Sequence, residues 1–241
     1  MLSPQVGLTT QLVAVYALEP YILRFWDLQK STVAGEMQDR PGGAVANNVS
    51  VIFGPEEKYL AVGGDPWNLA SGEHLTTAEQ VIGEKTTCWP YHTAFSPQGI
   101  TLGAGCFDGR LDLWQIPDGA LEKSFGGYRS WLNEIAFSPD EEYLAAIYNV
   151  PHNLVHAWHA LGGNHEFSLR GDHFTRAAYS PDGLLLATVL AQQEFDQYGW
   201  PAGVVQLWYA GNGEQINQFD LEDAVRSTFS LDSQVLATGS L

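Results

Sequence analysis

Basic residues are scarce. The 241-residue chain has 11 lysines and arginines against 28 aspartates and glutamates, a formal charge of −17, and Lys30, Lys58, Lys85 and Lys123 lie far apart. Binding to a nucleic-acid backbone or to an anionic membrane needs a concentrated positive patch, so the composition argues against both. Cysteine is nearly absent as well. Cys88 and Cys106 are too few for a disulfide framework and lack the spaced partners of a zinc site. That leaves a reducing compartment as the expectation, cytoplasmic or, in a eukaryote, nuclear. No apolar run approaches the roughly 18 residues that cross a bilayer. Residues 12–18 are apolar, but no basic residue precedes them and Glu19-Pro20 follows in place of a small-residue cleavage site, so they read as a strand and not a leader. Asn48-Val49-Ser50 matches a glycosylation acceptor, a chance match where no secretory signal accompanies it.

Apolar residues make up 45% of the chain, enough for a large core, and they are arranged periodically. An aromatic, a small residue and usually proline recur as Phe53-Gly54-Pro55, Phe95-Ser96-Pro97, Phe137-Ser138-Pro139, Tyr179-Ser180-Pro181 and Phe229-Ser230-Leu231. Three successive steps are 42 residues and the last is 50. Seven positions after each aromatic stands a leucine (Leu60, Leu102, Leu144, Leu186, Leu236), followed by Ala61, Gly103, Ala145, Ala187 and Ala237. Each repeat unit opens on a short alternating segment such as Leu132-Asn133-Glu134-Ile135-Ala136-Phe137. A turn follows, as in Ser180-Pro181-Asp182-Gly183, where proline presets its φ, aspartate bonds nearby backbone and glycine tolerates a positive φ. A second strand comes next, then a third ending in Trp114, Trp158 or Trp208, then a short fourth such as 121–125.

Four antiparallel strands in about 40 to 45 residues make one blade of a propeller. The expected fold is therefore all-β: a β-propeller of about five four-stranded antiparallel blades, four complete plus partial terminal ones, in a single domain over residues 1–241. Its boundaries are a partial blade at 1–43, blades at 44–82, 83–126, 127–169 and 170–220, and a half blade at 221–241. Residues 11–18, 21–28 and 31–37 read as second, third and fourth strands, whereas 224–229 and 235–239 read as a first and a second. Pairing the two ends would close a five-bladed ring. The alternative, slightly favoured, is that the chain is part of a longer propeller, because a bare apolar strand edge is normally removed by closure.

The chain resembles the WD-repeat (WD40) family. Phe137-Ser138-Pro139-Asp140, Tyr179-Ser180-Pro181-Asp182-Gly183 with Leu185-Leu186-Ala187-Thr188, and Leu236-Ala237-Thr238-Gly239-Ser240 are similar to that family's first two strands, and Phe25-Trp26-Asp27-Leu28 to its Trp-Asp ending. Trp67-Asn68-Leu69-Ala70-Ser71-Gly72-Glu73 is a related version. The resemblance covers nearly the whole chain and implies a scaffold that binds proteins. It also implies, within a blade, a structural network of histidine, hydroxyl, aspartate and tryptophan. Here the sets are incomplete: the fifth blade offers His173, Thr188 and Trp208, the third Asp108 and Trp114 with Ala104 in the hydroxyl position, and Tyr128 replaces the histidine ahead of Trp131.

In an antiparallel meander, the second-to-third connections emerge on the same side as the connections between blades. On that face the extra residues 191–202 carry Phe195, Tyr198 and Trp200, which the core does not require. Trp89 and Trp131 each stand six residues before a strand aromatic, Arg129 lies beside Trp131, and Pro151-His152 fills the fourth blade's connection. Trp89, Arg129, Trp131, His152, Phe195, Tyr198 and Trp200 thus form a candidate protein-binding patch, rich in the types that dominate interface energetics. For the tryptophans two readings stand, display on the face or wedging between blades. Trp26, Trp114, Trp158 and Trp208 occupy equivalent strand ends and are expected in the core.

Catalysis finds little support. There is no nucleophile elbow, phosphate loop or zinc-protease helix. Glu56-Glu57 and Glu141-Glu142 fall in turns and read as solvated charge. His152, His156, His159 and His165 fall within fourteen residues, but on a strand His156 and His159 point to opposite faces and cannot share an ion without a bulge. The expectation is a non-catalytic scaffold with no cofactor, no metal, a protein partner and no nucleic-acid or membrane partner. A propeller-type hydrolase or a carbohydrate- or small-ligand-binding module is the alternative.

Overall fold

The alternating segments pair with their neighbours along the chain, since each is too short and too half-apolar to be stable alone. The computed structural model describes residues 12–17, 22–27, 30–38, 51–62, 65–69, 75, 90–106, 108–116, 118–126, 130–148, 153–160, 162–171, 173–195, 201–221 and 226–239. Two three-stranded sheets come first: β1 (Leu12–Ala17), β2 (Ile22–Asp27) and β3 (Thr32–Gln38), then β4 (Val51–Phe53), β5 (Tyr59–Val62) and β6 (Asp65–Asn68). Three four-stranded sheets follow in the same sequential order: β7 (Pro90–Phe95) to β10 (Leu121–Gly126) through β8 (Thr101–Cys106) and β9 (Arg110–Gln115). The next holds β11 (Leu132–Phe137), β12 (Tyr143–Tyr148), β13 (Leu154–His159) and β14 (His165–Arg170). The last four-stranded sheet holds β15 (Phe174–Tyr179), β16 (Leu185–Phe195), β17 (Pro201–Tyr209) and β18 (Gln215–Leu221), and β19 (Arg226–Phe229) pairs with β20 (Leu236–Gly239). Apart from one 3-10 turn at Pro55–Glu57, no helix occurs among the described residues. The sheets are the expected all-β blades.

The chain divides into two compact units, Met1–Phe107 with Asp112–Ser124, and Asp108–Leu111 with Phe125–Leu241. In the first, Trp114 is buried with Leu102, Ala104 and Ile116 against Ala61 and Tyr59 of the preceding sheet. In the second, Trp158 meets Phe125 at a ring separation of 5.4 Å, and Trp208 packs with Leu169 and Phe167 of the preceding blade. Trp158 and Trp208 thus each cover the fourth strand of the blade before them. Trp26 departs from the expectation, being 38% exposed, because no described preceding blade supplies that fourth strand. The converse holds at Phe219: it is 43% exposed on β18, while Phe125 and Leu169 at the equivalent place are buried, because the sheet that follows it has only two described strands.

Two irregularities recur. In the first strand of each four-stranded sheet one residue drops out of register, between Pro90 and His92, Leu132 and Glu134, and Phe174 and Arg176. A second slip lies beside the tryptophan, where Trp26, Trp158 and Trp208 pair with Val33, His165 and Gln215. These bulges sharpen local twist and re-aim neighbouring side chains.

Two expectations change. The extra residues of the fifth blade are not simply a loop: β16 runs on to Phe195 and β17 begins at Pro201, with Phe195 opposite Pro201 after an irregularity beyond Ala191. Extending the hairpin keeps backbone groups paired that a loop would have to hydrate. Cys106, fully buried on β8, is disulfide-bonded, and its partner lies outside the described residues. Sequence spacing could not show this, since a disulfide needs Cα atoms within about 7 Å in space.

Candidate interaction face

Register fixes which end of each blade bears what. In the second unit Leu132 lies opposite Tyr148 and Phe174 opposite Leu190. The approach to β11 therefore shares an end with the β12–β13 connection, and the approach to β15 shares an end with the extended β16–β17 hairpin. At that end Ser130 and Leu132 are buried while Trp131 between them is 59% exposed.

Of the other patch residues, Trp89, Arg129, His152, Tyr198 and Trp200 lie outside the described residues, and Phe195 is placed only by its backbone at the end of β16.

The opposite end carries a row of serine turns, at Ser138-Pro139, Ser180-Pro181 and Ser230-Leu231. Ser138 accepts the Tyr143 amide at 2.9 Å and donates to Asp140 at 2.5 Å. Ser180 likewise accepts from Leu185 at 2.9 Å and donates to Asp182 at 2.5 Å, and Ser230 accepts from Val235 at 2.9 Å and donates to Asp232 at 2.6 Å. Successive turns touch: Gly183, at φ +74°, has room against Asp140, and the Asp182 amide donates to Ser233 at 3.0 Å. Asp140, Glu142, Asp182 and Asp232 make this end acidic, as the reading of Glu141-Glu142 as turn charge requires. The Ser180 hydroxyl, then the Leu184 amide, hold the Asp182 carboxyl below its usual range, and Ser230 with the Gln234 amide does the same for Asp232. Glu56 is lowered by its exposed partner Lys58.

The family's internal network is partly present. Trp208 donates its indole N–H to Thr188 at 2.9 Å, whereas Asp108 pairs with Arg110 at 2.8 Å. A different polar pair recurs two residues before and ten after each tryptophan: Arg24 with Glu36, Asp112 with Ser124, His156 with Ser168 and Gln206 with Gln218. The spacing was readable in the sequence once the tryptophans were aligned. Glu134 is another residue that sequence reasoning missed. Its carboxylate accepts the Ala177 amide of the next blade at 2.8 Å and lies 4.0 Å from Arg176. His156 and His159 do have different partners, His156 meeting Tyr148 and Trp158 while His159 meets Tyr143. Among the described residues no three histidine, cysteine, aspartate or glutamate side chains gather as a metal centre. No described helix is long and apolar enough to cross a membrane.

Sequential antiparallel blades, in which Trp114, Trp158 and Trp208 pack onto the preceding sheet, define a repeat protein of the propeller-blade class. No protein-family profile matches the chain. It is 29% identical over 188 residues to mouse WD repeat-containing protein 90, covering 75% of this chain and 9% of that protein. It is 28% identical over 144 residues to Protein groucho of Drosophila melanogaster, covering 57% of this chain and 19% of groucho. To WD repeat-containing protein SL1-17 of Schistosoma mansoni it is 23% identical over 146 residues, 61% of this chain and 46% of the relative. The chain thus spans less than half the length of each of these relatives. In repeat signature, blade topology and sequence the chain is thus similar to WD40-repeat proteins.

Proposed function

We propose that the chain is a non-catalytic scaffold that presents one end of its blades to a protein partner. The exposed indole of Trp131 carries this reading: a large apolar group held in water between buried neighbours is suited to a partner's pocket. Trp89, Arg129, His152, Phe195, Tyr198 and Trp200 would extend the contact. The charge of −17 favours a partner with a basic surface and an association rate that falls as salt rises. The test is capture by the immobilised chain, comparing the wild type with Trp131→Ala and with the Tyr198→Ala/Trp200→Ala double variant. Losing one hot-spot side chain should weaken retention roughly 10- to 30-fold while circular dichroism stays unchanged. Equal retention by all three proteins would refute the patch.

A further inference from the structure

We propose that His156 and His165, with Ser168 beside them, form a binding site for a borderline divalent transition ion, Zn2+ being the type case. His156 Nδ1 and His165 Nε2 are 3.2 Å apart, and Ser168 Oγ lies 2.7 Å from the first and 2.8 Å from the second. Two imidazole nitrogens bound to one tetrahedral zinc at about 2.0–2.1 Å stand roughly 3.3 Å from each other, so the two rings already hold the spacing that shared coordination demands. This is not the pair that sequence proximity suggests. The register slip between Ala157 and Trp158 sets His165 opposite Trp158 while His156 stays opposite Ser168, which brings two histidines nine residues apart onto one face. In the other blades the pair at the His156 and Ser168 positions is Arg24 with Glu36, Asp112 with Ser124, or Gln206 with Gln218, so two imidazoles meet in this blade alone among the described residues.

The surroundings suit an exchangeable ion. His156 is buried, with Tyr148 and Trp158 each at a ring separation of 5.5 Å, so its orientation is set before any ion arrives. His165 and Ser168 are exposed, which gives a path from solvent and room for water to complete the coordination. Neutral imidazoles offer lone pairs to an ion of intermediate softness, whereas two protein nitrogens and a hydroxyl poorly match the oxygen-rich shells of calcium or magnesium. An ion here would tie β13 to β14 and stabilise the folded chain by mass action.

The experiment is calorimetric titration of the chelator-treated full chain with ZnCl2, alongside melting curves, for the wild type, His165→Gln and His159→Gln. Wild type and His159→Gln should each take one equivalent saturably and melt higher with zinc. His165→Gln should bind on the order of 10- to 100-fold more weakly and show no zinc-dependent rise, a loss at least as large as that from removing an outer-shell partner. His165 is exposed, so circular dichroism without metal should match the wild type. Imidazole 15N spectra should move at His156 Nδ1 and His165 Nε2 on adding zinc. Absence of saturable binding, or binding that survives His165→Gln, or shifts confined to other histidines, would overturn the site.

Discussion

The serine hydroxyls of the Ser138-Pro139 and Ser180-Pro181 turns each do two jobs at once. Ser138 and Ser180 are fully buried, and each accepts a strand amide while donating to an exposed aspartate. Removing the hydroxyl strands a buried amide, which costs more than the net value of an ordinary hydrogen bond. Ser180→Ala should therefore lower unfolding free energy by about 1–3 kcal/mol in denaturant titration, whereas substituting an exposed serine should change little. The same turn carries a pH signature. The folded-state carboxyl of Asp182 is held low, so its stabilisation is complete above the ordinary carboxylate value of 3.8 and is lost as pH falls through the lower folded value. Asp182→Asn, which cannot ionise, should show a smaller fall in melting temperature than the wild type between about pH 7 and pH 3. An equal fall would place the acid sensitivity in other carboxylates. The aromatic-Ser-Pro-Asp string was legible as a turn from residue chemistry. Burial of its serines was not, because it follows from how neighbouring turns stack.

At the scale of the strand and blade, periodicity supplied strand order and hairpin pairing correctly from β7 to β20. Leucine, a small residue and tryptophan at fixed offsets leave few alternatives once four strands must bury both faces of a sheet. What periodicity missed is what breaks it. The bulges at Asn133 and Thr175 follow from inter-strand register, and the hairpin extension to Phe195 was hidden by a polar stretch that resembles a loop. The incomplete hydroxyl set was visible, and its consequence can be named: Trp208 has Thr188, whereas the equivalent positions beside Trp114 and Trp158 are Ala104 and Ala146. In the fourth and fifth blades a side chain adds to the joint between sheets, with Glu134 accepting the Ala177 amide. Glu134→Ala should cost about 1–3 kcal/mol, and Glu134→Gln, which keeps an acceptor, should cost less. Equal losses would mean that charge pairing with Arg176, not the amide bond, sets the value.

For the whole molecule, one residue type serves two ends. Tryptophans at the close of a third strand lock consecutive blades, and a tryptophan ahead of a first strand faces water. The sequence distinguished the two positions by their offset from the strand aromatic, but only burial decided which way Trp131 points. Much of the proposed patch lies in connections whose sequences carry no periodic constraint, which is why the partner is less legible than the fold. The most direct test of this division of labour is a paired measurement on Trp158→Ala and Trp131→Ala, each scored for unfolding free energy and for partner retention. Trp158→Ala should lose about 3–5 kcal/mol through the cavity it leaves, and Trp131→Ala should keep its stability within about 0.5 kcal/mol yet lose retention. Stability loss at Trp131 with none at Trp158 would contradict the account.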